Sequence, residues 1–215
     1  MVEYNAPIRD YDFLFNEMFD AIPTVQRLGY DFDSDFLSML AEGWADHTKE
    51  VWLPINQLGD REGLKFNEGR ISMPPEFKSA YNSSREGGWL STACKPEHGG
   101  MGVPVFFQAV TWAEIGTSTN MAMSVLPALT LGVYDVLTEH GDKSLVDYFA
   151  THLASGEWSG TMCLTEPHAG TDLGIISTKA IPQDDGTYRV TGTKIFITYG
   201  EHDMTDNIVH LVLAK

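Results

Sequence analysis

Two threonines flank a glycine in the run MCLTEPHAGTD, residues 162–172. Thr165 and Thr171 each bring a hydroxyl that donates and accepts. Gly170 between them is free to take positive φ, so successive backbone N–H groups can converge on an anion without a lysine. Farther along, residues 194–200 read KIFITYG. As a strand with a period of two, this run puts Lys194, Phe196 and Thr198 on one face and Ile195 and Ile197 on the other. Phe196 then offers a flat apolar surface and Thr198 a hydroxyl beside it. Such a set suits a planar heteroaromatic ring with a pyrophosphate tail: a face to lie on, hydroxyls and amides along one edge, N–H groups at the phosphates.

The elements that must hold these residues follow from periodicity. Residues 158–164 (WSGTMCL) suit a half-buried strand, which ends at Glu166 because Pro167 has no N–H for a ladder. From Trp158 onward the period stays at two, with strands expected at 177–181, 187–191, 193–198 and 208–214 and a hairpin turn at Asp184-Asp185-Gly186. Before Trp158 the spacing is helical. A short helix opens at Pro7 or Asp10 and runs through Phe19, with Tyr11, Leu14, Phe15 and Met18 on one side. Asp33-Ser34 caps a helix over 35–52, which Pro54 and the glycine-bearing run 57–73 interrupt. Pro74-Pro75 opens a helix over 76–85. Residues 89–104 form a loop whose Gly99, Gly100 and Gly102 make a tight turn; the G-x-G-x-x-G spacing is absent. Helices follow over 104–116, 120–139 and 143–154, the second apolar nearly all round and so expected deep in the core.

These assignments divide the chain into an arm at 1–32, a helical domain at 33–156 and a β-domain at 157–215 that is incomplete. The fold class expected is α+β: an all-α domain followed by the beginning of an antiparallel, barrel-like β-domain.

Composition narrows the function. Of 215 residues, 43% are hydrophobic and 20% charged, which argues for a globular chain with a real core. The net charge is −16, with 15 acidic against 7 basic residues in 1–80 and the same in 81–215. Neither part is a basic platform, which speaks against nucleic acid and anionic membranes as partners. Cys94 and Cys163 lack metal or redox spacing and read as free thiols in a reducing, cytoplasmic setting. The seven histidines show no H-x-x-x-H and no cysteine partner, so no metal site is expected. There is no run of eighteen apolar residues and hence no expected membrane span. Glu201-His202-Asp203 is the densest polar cluster, read as solvating a loop or touching a cofactor or partner.

Taken together, the two runs resemble the flavin-binding signature of the acyl-CoA dehydrogenase family, C-x-T-E-P-x-A-G-S/T-D followed by G-x-K-x-W/F-I-T. Cys163, Thr165, Glu166, Pro167, Ala169, Gly170, Thr171, Asp172, Gly192, Lys194, Phe196, Ile197 and Thr198 fit it. The turn at 96–102 matches a Pro-x-x-x-Gly-Gly-x-Gly turn of the family. The N-terminal piece is similar to a longer subfamily that includes the methylmercaptopropionyl-CoA dehydrogenases. The resemblance implies FAD held by Met162, Cys163, Leu164, Thr165, Gly170, Thr171, Phe196, Ile197 and Thr198, with Thr171 also touching the CoA moiety. It implies oxidation of the Cα–Cβ bond of an acyl-CoA to the 2-enoyl-CoA, electrons passing to an electron-transfer flavoprotein or similar acceptor, and a homo-oligomer. In the family the proton-abstracting glutamate lies in a helical domain beyond the β-domain, so no catalytic residue is expected here and Glu166 is expected to be structural. Phe196 stands where tryptophan is usual and Met162 where an aromatic is common. An acyl-CoA oxidase of the same architecture, or a non-catalytic binding module, are the alternative readings.

Overall fold

The computed structural model describes residues 3–215. Helices α1 (Ile8–Asp12), α2 (Ala21–Arg27), α3 (Ser34–His47) and α4 (Leu53–Glu62) come first, followed by the hairpin β1 (Lys65–Asn67) and β2 (Arg70–Ser72). Then come α5 (Pro75–Glu86), the one-turn α6 (Val105–Phe107), α7 (Ala113–His140) and α8 (Lys143–Ala154). Strands β3 (Trp158–Cys163), β4 (Lys179–Pro182), β5 (Tyr188–Thr191) and β6 (Asn207–Val212) complete the order.

Three π-helical turns, Phe13–Met18, Thr48–Trp52 and Gln108–Trp112, join helical pieces. The middle one overturns the expected break at Pro54. The helix runs on as α4 with the proline in its first turn, where the absent N–H costs nothing. Helix α2 and the hairpin β1–β2 were not expected either; they occupy stretches read as arm and loop. Asp33 does cap α3, its carboxylate accepting from Phe36 N–H at 2.8 Å.

Around the π turns lies an aromatic core. Trp44 stacks on Trp112 with centroids 4.8 Å apart, and Trp52 meets Trp44 edge-on at 4.8 Å. Each buried indole N–H has a partner: Trp44 donates to the Trp112 carbonyl, Trp112 to the Trp89 carbonyl, and Trp52 to Ser84 Oγ.

By length and apolar content alone, Val105–His140 is enough to cross a bilayer. It is instead the helix on which α3, α4, α8 and β3 pack. The expectation that its apolar part is buried all round holds for Met123, Leu126 and Val133 but not for Met121 and Val136, which are exposed. Asn120 interrupts α7 with φ −159° and ψ 98°. Its Oδ1 accepts from Met123 N–H and its Nδ2 donates to the Trp52 carbonyl, so it caps the second half of the helix as an Ncap residue does.

Strand β3 lies on α7 through Gly160, whose N–H donates to Thr130 Oγ1. A Cβ at 160 would stand 2.6 Å from Val133 Cβ, on a fully buried, β-branched side chain that cannot rotate away. Gly160→Ala is expected to cost about 1–3 kcal/mol through overpacking, read from the chemical denaturation midpoint. An unchanged midpoint would show that β3 can lift off α7.

The β-pairing is mixed where antiparallel order was expected. Strands β4 and β5 form an antiparallel hairpin through the turn at 184–186, but β3 and β6 run parallel, Trp158 opposite Asn207 through Cys163 opposite Val212. The chain beyond β6 joins the two pairs, with Leu213 N–H donating to the Cys163 carbonyl and Ala180 N–H to the Lys215 carbonyl. A parallel pair needs a long connection, and residues 164–206, which carry both signature runs, supply it.

Candidate functional site

Strand β3 ends at Cys163 and delivers Leu164, Thr165 and Glu166 into a turn closed by reciprocal backbone bonds between Glu166 and Ala169, 2.9 and 3.1 Å. The Glu166 side chain is wholly buried. It accepts from Ser177 N–H and Oγ (both 2.7 Å), from Thr178 N–H (2.9 Å) and Oγ1, and from Lys194 Nζ (2.9 Å). Burial alone would push this carboxyl up, but the donors of Thr178, Ser177 and Lys194 outweigh it and hold the group well below the usual carboxylate range. Lys194 Nζ also donates to the Leu164 carbonyl at 2.8 Å, and Ile195 N–H to the Thr165 carbonyl at 2.9 Å. One buried ion pair and one ladder bond therefore clip the two signature runs together.

Three expectations need correction. Residues 193–198 are not a strand: Ile195 makes a single ladder bond, and Phe196 and Tyr199 take positive φ, 57° and 54°. The inward pull of Glu166 on Lys194 breaks the alternation, so Lys194 is buried while Phe196 and Thr198 face outward. Gly170 does not take positive φ; the Glu166–Ala169 bridge already curls the chain, and a Cβ at 170 would meet only open space. Asp172, beyond Thr171, turns its carboxylate back to Gly174 N–H instead of leaving it free.

Other expected site residues separate into groups. Met162 packs on the cluster of Val133, Tyr134, Leu137 and Leu153 between α7 and α8, so only its backbone reaches toward the loops. Cys163 is buried on the opposite face, its Sγ 3.8 Å from His210 Nδ1. Gly170 and Thr171 are exposed on the outer loop. Phe196 is 89% exposed, an uncovered aromatic ring. Ile197 and Thr198 line an open, mostly apolar cleft of about 940 Å³ against Met73, Phe77, Met121 and Val125.

That cleft contains functional residues not singled out from the sequence. Asn120 breaks α7 at its wall, and Tyr199 Oη donates to the Ala122 carbonyl at 2.7 Å, tying the second signature run to α7. Burial pushes the Tyr199 hydroxyl up to about 12. His202 accepts from Met204 N–H on Nδ1, which assigns its proton to Nε2 facing Ser159 Oγ at 3.1 Å. Burial lowers its pKa, in keeping with a neutral ring. Among the described residues no group of three or more His, Cys, Asp or Glu is arranged to hold a metal.

Residues 161–215 match the model of the acyl-CoA dehydrogenase middle domain. The chain is 41% identical over 214 residues to the 3-methylmercaptopropionyl-CoA dehydrogenase of Ruegeria pomeroyi, 99% of this chain and 36% of that protein. It is 40% identical over 175 residues to a butyryl-CoA dehydrogenase of Syntrophomonas wolfei, 78% of this chain and 28% of that one. The chain thus spans about a third of the length of these relatives. Its fold is that of the acyl-CoA dehydrogenase from Bacillus anthracis solved with FAD, TM-score 0.67 at 24% identity, covering 86% of this chain and 29% of that one. With a helical layer, the opening of a sheet and both signature runs in place, the chain belongs to the acyl-CoA dehydrogenase family.

Proposed function

We propose that this chain supplies the cleft-facing helices and the flavin-binding loops of an FAD-dependent acyl-CoA dehydrogenase, with an acyl-CoA as substrate. The observation that carries the reading is Phe196. A large aromatic side chain left uncovered on a strained backbone is costly unless a ligand covers it, and here it adjoins the outward Thr198 and the cleft.

The residues fit FAD. An open flat ring, outward hydroxyls at Thr198 and Thr171, and an unobstructed backbone at Gly170 match a planar ring with a phosphate tail. On this reading Thr165 and Thr198 bond the ring edge, Phe196 and Ile197 pack on its face, and the backbone of Met162, Cys163 and Leu164 flanks it. Thr171 lies where pyrophosphate and CoA meet. When bound, FAD accepts a hydride from Cβ of the thioester while a base takes the proton from Cα. Met73, Phe77, Met121 and Val125 hold the acyl chain and exclude water. Glu166 is no candidate for the base, since it is saturated with donors and held ionised. The base and the electron acceptor then belong to the rest of the whole protein.

The test is flavin retention. Thr165→Val and Thr198→Val are each expected to weaken FAD binding by about 1–3 kcal/mol, because a buried acceptor on the ring loses its donor. Titration followed by flavin absorbance reads this directly. Unchanged affinity in both variants would remove these residues from the site.

A further inference from the structure

Glu201-His202-Asp203 stands out in the sequence, and its three side chains divide by direction. His202 turns inward and binds Ser159 on β3, fixing the loop to the body of the protein. Its neighbours on either side reach the other way, to the hairpin β1–β2. Asp203 Oδ1 accepts from Met73 N–H at 2.9 Å, and Glu201 Oε1 pairs with Arg70 Nη1 at 3.3 Å.

The hairpin depends on those contacts. It has two three-residue strands joined by Glu68-Gly69, both at positive φ, and every residue of its strands is exposed except the half-buried Ile71. A two-stranded hairpin has no stability of its own in water, so attachments at its base set its position. Leu64, Ile71 and Met73, at and beside the hairpin, line the cleft. Phe66 stands opposite Ile71 in the register and so shares its face, yet it is 72% exposed.

We propose that the hairpin β1–β2 is a movable wall of the cleft, latched by Asp203 and Glu201, and that releasing the latch opens the cleft to ligands. The proposal goes beyond the flavin reading and does not depend on what the cleft holds. The Arg70–Glu201 pair is an exposed contact that salt screens, whereas the Asp203–Met73 bond is held to the backbone. Ionic strength therefore loosens one half of the latch and leaves the other.

Access to the cleft can be timed without a ligand. In the full chain, Val125→Cys places a thiol on the cleft wall, while Cys94 and Cys163 are buried and react slowly. Maleimide labelling of that thiol is expected to quicken about five-fold when Asp203→Ala is added, the effect of losing one hydrogen bond from the closed state. Arg70→Ala should give a smaller gain, which 1 M salt reproduces in the parent and does not increase further in the variant. Hydrogen exchange at the Met73 amide should rise in the Asp203→Ala protein. Should that protein fail to fold, Arg70→Ala and the salt series decide the matter. Labelling rates that ignore these changes, or a Met73 amide equally protected without Asp203, overturn the proposal.

Discussion

Glu166→Gln is expected to lower the melting temperature by about 10 °C, as removal of one partner from a buried ion pair does in a chain of this size. The amide would turn an NH2 toward donors of Ser177 and Thr178 that now meet a carboxylate, and Lys194 would keep its buried charge without the counter-charge. Because the same side chain joins residues 177–178 to 194, the two signature runs should separate, and flavin retention should fall with stability. The pH dependence has a definite sign. The folded pKa lies below the ordinary value of 4.5, so the stabilisation is fully present above about pH 4.5 and is lost as pH falls toward the folded value. Thermal melts from pH 7 to pH 3 should therefore show a steeper acid loss for the parent than for Glu166→Gln. Parallel curves would mean that another carboxyl governs acid unfolding.

Trp52→Ala should be as damaging for a different reason. The ring is fully buried, edge-on to Trp44 and Trp112, and its N–H is bonded to Ser84. Removing it leaves a cavity among rings that cannot all collapse, costing about 3–5 kcal/mol. Its carbonyl also receives Asn120 Nδ2, so the displacement reaches the break in α7 that faces the cleft. Urea denaturation followed by fluorescence measures the cost. A loss below about 1 kcal/mol would show that the cluster repacks.

Local chemistry made part of this legible. Asp33 as a cap, the turn at 184–186 and the end of the first signature strand before Pro167 all follow from neighbours in sequence. The opening of the apolar helix at Asn120 reads the same way, although its place beside the cleft does not. The second signature run was misread because Phe196 and Tyr199 are residue types that favour extended backbone. Their positive φ follows from a contact made 28 residues away, between Lys194 and Glu166. The hairpin β1–β2 escaped notice because both its strands are exposed and show no alternation. Continuation of the helix past Pro54 depends on the π turn before it, for which residue types give no signal.

That π turn has a consequence for chain length. A π turn is an α-helix carrying one inserted residue. Loss of any one residue between Thr48 and Trp52 would restore a regular helix and yet turn everything after it by about 100°. Gly59, which fits against the Phe77 ring only because it lacks a Cβ, would leave its place, and Asp60 and Leu64 would swing from the cleft wall. A single-codon deletion there, harmless by every local helix rule, would rephase one side of the cleft, whereas most substitutions at the exposed Lys49 or Glu50 would leave it intact.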